Sequence, residues 1–178
     1  MARRPNLLMQ ASMQLSRRKF MGMKNVEKMI LYHLRIPRWF QIYIYSLASL
    51  TTLEMLWCFY PAGPLPRPAF HLESLNVNFS EGCTLDLMDA CRNTLSSLQL
   101  STHELRSLDI ARITEYPPPP LTHLHVNVFH LDADVQISRL LAACRKLTHL
   151  TITESTSRSG SITIGPRDLP KLEWFEGI

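Results

Sequence analysis

A six-residue pattern of apolar side chains recurs seven times along this chain of 178 residues, and it constrains the fold more than any other feature. Each copy reads apolar-x-x-apolar-x-apolar. The first positions are 24, 22, 23, 26, 26 and 22 residues apart. The seven copies are Val26/Met29/Leu31, Leu50/Leu53/Met55, Leu72/Leu75/Val77, Leu95/Leu98/Leu100, Leu121/Leu124/Val126, Leu147/Leu150/Ile152 and Leu169/Leu172/Trp174. Leu occurs 28 times, but seven copies at such even spacing indicate an internal repeat.

Within each copy the last two apolar positions are two residues apart, so on a strand they share one face. Segments of helical character lie between copies, at 85–92 and 135–144. In the second, Ile137, Leu140, Leu141 and Cys144 form one apolar stripe. Each unit is therefore a strand, a loop, a short helix and a return. The period predicts an α/β fold, an irregular leucine-rich-repeat solenoid whose parallel concave sheet is backed by short helices and loops on the convex side.

Prolines precede several copies of the pattern. They are Pro64, Pro66 and Pro68 before Leu72, the run 117–120 before Leu121, and Pro166 and Pro170 before Leu172. Proline cannot donate to a β-ladder, so these residues favour lead-in loops. An additional match, Leu105/Leu108/Ile110, is interpreted as a convex strand or turn inside an enlarged repeat.

The sequence divides into a basic segment at 1–23, either a frayed terminus or a truncated repeat, and a domain of about seven irregular repeats at 24–178. Residues 1–40 hold nine basic side chains and one acidic one, a net charge of +8, whereas residues 41–178 hold ten and fourteen, a net charge of −4. The basic pI of the chain therefore arises from residues 1–40, its basic head, and nucleic-acid binding by the repeats is not expected. A mitochondrial presequence is an alternative interpretation of the head.

The segment 40–60 is long enough to cross a bilayer and carries one charge, Glu54. However, Leu50, Leu53 and Met55 are repeat positions, and Phe40, Ile42, Ile44 and Leu47 fit the convex segment before them. We therefore expect no membrane span and a cytoplasmic or nuclear location.

The residues between the inward positions should form a polar, concave face that binds a protein partner. The candidate residues on it are Glu54, Asn76, Asn78, Gln99, His123, His125, Asn127, His149, Thr151 and Glu173. Equally, the outward face of any sheet in water must be polar.

Catalytic and metal-binding patterns are not evident. His123 and His149 occupy equivalent places, but no further ligand completes a zinc site, so we expect no metal. Cys58, Cys83, Cys91 and Cys144 have no ligand spacing and no nucleophile context. Nucleotide-binding glycine motifs are missing as well. The sequence therefore predicts a non-catalytic protein without a cofactor.

Three phrases resemble a known family. They are Leu121-Thr122-His123-Leu124-His125-Val126, Leu147-Thr148-His149-Leu150-Thr151-Ile152 and the segment 169–177. They resemble the leucine-rich region of the F-box-like proteins of mushroom-forming fungi, over roughly residues 24–178. The resemblance implies a substrate receptor of a ubiquitin ligase, whose N-terminal F-box docks on the cullin adaptor and whose repeats recruit the substrate.

No F-box is recognised in this sequence, so adaptor binding would require one upstream. A fragment, a truncated gene model or a degenerate paralogue is expected. The competing hypothesis is an organellar or membrane-associated protein directed by the basic head and the 40–60 segment.

Overall fold

Every copy of the apolar pattern from Val26 to Ile152 contributes a strand to one sheet. A computed structural model describes residues 6–10, 20, 22–60, 66–80, 84–101, 120–128, 134–154 and 169–177. Its strands are β1 Asn6–Gln10, β2 Lys28–Tyr32, β3 Thr52–Leu56, β4 Ser74–Asn78, β5 Ser97–Ser101, β6 His123–Val128, β7 His149–Glu154 and β8 Trp174–Glu176. The helices within the described residues are α1 Arg38–Tyr45, α2 Thr84–Ala90 and α3 Asp134–Ala143.

The strands formed by the described residues make one eight-stranded sheet in chain order, and every neighbouring pair is parallel. The apolar positions of one copy pair with those of the next. Leu53 lies opposite Met29 on one side and Leu75 on the other, and the register continues through Leu98 and Leu124. The predicted α/β fold with a parallel sheet is confirmed.

One face of this sheet is core. The second and third positions of each copy from β2 to β7 are buried, in two rows that cross the strands. Burying a Leu side chain contributes about 1.5–3 kcal/mol, so these rows are the main source of stability in the sheet. The rows are Met29, Leu53, Leu75, Leu98, Leu124 and Leu150, and Leu31, Met55, Val77, Leu100, Val126 and Ile152.

Helix α1 begins after Pro37, an N-cap residue with an extended backbone that has no amide donor and therefore leaves no N–H unpaired at the cap. Phe40, Tyr43, Ile44 and Leu47 are buried at the spacing of one helical stripe. Ile42 also lies in α1, within the predicted convex segment, but its side chain is 47% exposed. The helical period of 3.6 turns Ile42 outward and brings Tyr43 inward instead.

The two other predicted helices are confirmed as α2 and α3. All four residues of the predicted stripe on and after α3, from Ile137 to Cys144, are buried. Residues 40–60 divide between α1, a turn and β3, so they form no continuous helix. In the described part of the chain, no helix combines the length and apolar content that a membrane span requires.

The backbone makes the same junction between each pair of neighbouring strands from β2 to β8. The carbonyl of the residue before one strand accepts two N–H groups from the next repeat. Glu27 accepts from Thr51 and Thr52, and Thr148 accepts from Glu173 and Trp174 at 2.9 and 3.0 Å. This junction identifies equivalent residues independently of side-chain type.

The last repeat is shifted from its predicted register by three residues. Trp174 pairs with His149 and Phe175 with Leu150, so Leu172 and Trp174 are not the inward pair and the prediction was wrong there. Leu172 donates its N–H to Leu169, as Leu147 does to Cys144, and Leu172 is therefore the first position of the copy. Leu-x-x-Leu and Leu-x-x-Phe have the same spacing, so the apolar pattern could not separate the two registers.

Strand β1 lies at the other edge of the sheet, where Leu7 pairs with Met29. The apolar pattern did not predict it. Several predicted features lie outside the described residues: the additional match at Leu105/Leu108/Ile110, Cys83, the prolines at 64, 117–119 and 166, and the basic residues at 3, 4 and 17–19.

Candidate functional site

The outward side chains of β2 to β7 form the second face of the sheet, the outward face. We call its part on β4 to β7 the polar face. One row of the outward face holds five predicted site residues, one on each strand from β3 to β7: Glu54, Asn76, Gln99, His125 and Thr151. Asn127 lies in the neighbouring row, in register with Ser101 and Thr153, and Asn78 lies opposite Leu56 in the same row. Parallel pairing of repeats places these residues side by side, as the sequence predicted.

Glu173 is the exception. It lies one residue before β8, exposed, at the junction position that Thr148 and Thr122 occupy in earlier repeats. Its predicted place on the strand was wrong because of the three-residue shift. The residue that shares the row of Thr151 is Glu176.

A chain of side-chain hydrogen bonds crosses the polar face. The Asn78 amide donates to Asn76 Oδ1 at 2.6 Å, and the Asn127 amide donates to Asn78 Oδ1 at 2.8 Å. Thr153 Oγ1 donates to Asn127 Oδ1, and His125 Nε2 lies 3.2 Å from Thr153 Oγ1. We call this chain the amide network.

The amide network has a direction. The Thr153 hydroxyl gives its one proton to Asn127, so it accepts from His125, whose Nε2 must then carry a proton. The donors run from His125 to the Asn76 end. Asn78, only 5% exposed, bridges β4 to β6 above the fully buried Ser101. A buried amide must be hydrogen-bonded, so the network fixes the orientation of its own side chains.

His123 and His149 stack on the same face, with ring centroids 4.3 Å apart and planes at 12°. Each Nδ1 lies 2.9 Å from the hydroxyl of the preceding threonine, Thr122 or Thr148. Both hydroxyls donate to a backbone carbonyl, at 3.2 and 3.0 Å, so each accepts from Nδ1–H. In the neutral imidazole with this tautomer, Nε2 is a hydrogen-bond acceptor.

On the outward side of β2 to β7 the charged side chains are few, and two of them are paired. Lys28 Nζ lies 2.5 Å from Glu54 Oε1 on the neighbouring strand. From β4 to β7 the outward residues whose side chains are described carry amides, hydroxyls and imidazoles, with no carboxylate, ammonium or guanidinium group among them. The arrangement offers donors and acceptors in fixed positions and lacks the basic clusters that phosphate recognition uses.

Sequence reasoning missed a group of aromatic rings at the carboxyl ends of β2, β3 and β4. Trp57 stacks on His33 with a centroid distance of 5.7 Å and on Phe79 with one of 4.2 Å, both nearly parallel. Tyr32 meets His33 edge to face at 4.4 Å. We call His33, Trp57 and Phe79 the aromatic stack.

All three stack residues have a left-handed backbone, with φ of 51°, 57° and 52°. Continued strand alternation would point them toward the core; the left-handed turn breaks it, and His33 and Trp57 are exposed. The signal was available in the sequence, since each ring lies two residues after the last apolar position of its copy. It was overlooked because the pattern ended at that position.

No group of three or more His, Cys, Asp or Glu side chains among the described residues could hold a metal ion. Burial raises the pKa of Cys91 to about 11 and that of Cys144 to about 12, which keeps both thiols protonated and poorly nucleophilic at neutral pH.

Comparisons with models of protein families, with curated proteins and with solved structures found no match for this chain. The class that the described geometry defines is an α/β protein with a parallel sheet in chain order, one buried face and one polar face.

Proposed function

We propose that this chain is a leucine-rich-repeat solenoid that binds a protein partner on the outward face of its sheet, without catalysing a reaction. The observation that carries the proposal is the constant register of the repeats, in which outward residues of successive copies line up in rows. A row of fixed hydrogen-bonding groups suits recognition of a macromolecule, since each repeat adds one contact.

The amide network supports a binding role more than a purely structural one. Outward positions of a sheet in water can be filled by any polar residues, and a bonded network that immobilises amides is not needed for solubility. Immobilised side chains lose less conformational entropy when a partner binds, so the network preorganises the face.

The narrower proposal is that the chain is the substrate-recognition part of an F-box-like ubiquitin-ligase receptor. It is supported by the family resemblance of residues 24–178. With an F-box segment attached upstream, the chain should co-purify with the cullin adaptor; a folded fusion that does not do so would contradict the narrower role and leave the binding role standing.

The binding role is tested by blocking the face with bulky charges. We expect the double variant Gln99→Arg/Thr151→Arg to lose proteins that the wild-type chain retains from a fungal lysate, because both residues lie in one row of the outward face. The matched control is Ser138→Arg/Ala142→Arg, which adds the same charge on the exposed side of α3. Identical bound sets for both variants, measured by quantitative mass spectrometry, would contradict the proposal.

A further inference from the structure

The outward face changes character between β3 and β4. On β2 and β3 the row that leads into Asn78 is occupied by Tyr32 and Leu56, which lie in register. Tyr32 is 39% exposed and Trp57, the next residue after Leu56, is 50% exposed. Scattered exposed apolar residues are ordinary, but adjoining ones mark interaction sites. Together with His33 and Phe79 these side chains form an apolar rim that is continuous with the amide network.

The side chains of the apolar rim are held in fixed positions. Trp57 is flanked by the nearly parallel rings of His33 and Phe79, and half of its surface stays exposed to a partner. The N–H groups of His33 and Trp57 extend the β-ladder to the carbonyls of Leu56 and Asn78. A left-handed backbone at a bulky residue is energetically unfavourable, and such strain concentrates at binding sites. Three successive repeats carry this cost at the same place.

The charge on this part of the molecule limits the kind of partner. Lys28 is neutralised by Glu54, and the Arg35 guanidinium lies over the Phe59 ring at 5.4 Å from its centroid. The amide network contains no carboxylate, ammonium or guanidinium group. A partner that entered with several unpaired charges would lose their hydration and could gain only the Arg35 guanidinium as an unpaired opposite charge among these residues. The apolar rim and the amide network therefore suit a partner segment that carries an apolar side chain next to polar, uncharged ones.

We propose that the face binds an extended, uncharged segment of a protein partner that crosses the strands, with an apolar side chain packed against Tyr32 and Trp57 and polar uncharged residues over the amide network. Six strands about 4.8 Å apart span roughly 24 Å, which an extended chain covers in about seven residues. Trp and Tyr are the residue types that most often dominate binding energy. This inference rests on the proposed function and adds the anchor site and the chemistry of the ligand.

The test is selection of peptides from a displayed library of random twelve-residue sequences, with the full chain as bait. We expect selected sequences to combine one large apolar residue with Asn, Gln, Ser or Thr and to carry little net charge. Synthesised peptides should bind the variant Trp57→Ala at least tenfold more weakly than the wild type. The peptides should also shift the tryptophan fluorescence of the wild-type chain.

Two variants serve as controls. Trp174→Ala removes an equally exposed indole, 56% exposed, five strands from β3 on the same outward face, and should change affinity less than twofold. Trp57→Phe keeps a ring between His33 and Phe79 and should retain most of the affinity, which separates loss of the anchor from loss of fold.

The outcomes separate the two levels of the proposal. Peptides that bind the outward face but are insensitive to Trp57→Ala, or that are consistently acidic or basic, would overturn this inference and leave protein binding intact. If no selected peptide loses affinity for the Gln99→Arg/Thr151→Arg variant, that result would count against both this inference and the proposed protein-binding role.

Discussion

The indole of Trp57 lies face to face with the phenyl ring of Phe79, with centroids 4.2 Å apart and ring planes 6° from parallel. Each residue directly follows a strand and has a left-handed conformation, at φ of 57° and 52°. Stacking of such a pair contributes about 0.5–1.5 kcal/mol beyond its buried area. Because this gain is similar to the backbone cost, the rings offset the strain that positions them.

This balance predicts that Trp57→Gly will be more stable than Trp57→Ala, by about 1 kcal/mol in the free energy of unfolding. Both variants lose the stack, but only glycine also relieves the strained backbone. Urea denaturation followed by circular dichroism measures the difference. At Leu56, which is not left-handed, the order should reverse, with alanine the more stable. An alanine variant as stable as the glycine variant at position 57 would show that the strain is negligible.

The amide network predicts energetic coupling between Asn78 and Asn127, which belong to strands β4 and β6. Asn78→Ala leaves the Asn127 amide without its acceptor and should cost about 1–3 kcal/mol. In a double-mutant cycle with Asn127→Ala the two costs should fail to add by about 0.5–3 kcal/mol.

Asn127 and Glu54 provide the matched cycle, since Glu54 pairs with Lys28 and not with the network. Their effects should add to within about 0.5 kcal/mol. Equal additivity in both cycles, measured by urea denaturation, would mean that the Asn78–Asn127 hydrogen bond has no independent strength.

The register of β8 is tested by cross-linking. Thr151 lies opposite Glu176, so Thr151→Cys/Glu176→Cys should form a disulfide within the usual limits of Cα separation. The pair Thr151→Cys/Glu173→Cys tests the register that the sequence alone suggested and should stay reduced. Mass spectrometry of the oxidised chains distinguishes them, and preferential oxidation of the second pair would restore the predicted register.

The buried thiols predict slow alkylation at neutral pH. Burial raises the pKa of Cys58 as well as those of Cys91 and Cys144, although backbone hydrogen bonds partly oppose the shift at Cys58. Peptide mapping after iodoacetamide treatment should find these three cysteines modified in urea and protected in the folded chain. Rapid labelling of the folded protein would contradict their burial.

The same shifts predict the pH dependence of stability. Above the ordinary cysteine pKa of 9.0 the unfolded chain releases thiol protons that the folded chain keeps. The free energy of unfolding should therefore be fully retained below pH 9 and fall between pH 9 and about 12. The double variant Cys91→Ala/Cys144→Ala should show a shallower fall than the wild type, which separates the thiols from tyrosine and lysine titration.

Most of the sheet could be predicted from the sequence because a strand has a period of two and the copies recur at nearly constant spacing. That regularity located β2 to β7, both inward rows and the outward rows with Asn76, Gln99 and His125. The stripe from Ile137 to Cys144 located α3 for the same reason, since periodic burial is visible in one dimension.

Three features depended on the tertiary structure. The register of β8 was ambiguous because Leu169, Leu172 and Phe175 are all apolar and three residues apart, and only the backbone bonds to Thr148 select one alignment. The aromatic stack and the amide network were also beyond the apolar pattern. They depend on a left-handed backbone and on side-chain orientations across two or three strands, which distance along the chain does not encode. Periodic hydrophobicity determined which residues are buried, whereas backbone hydrogen bonding and cross-strand contacts decided which outward residues meet.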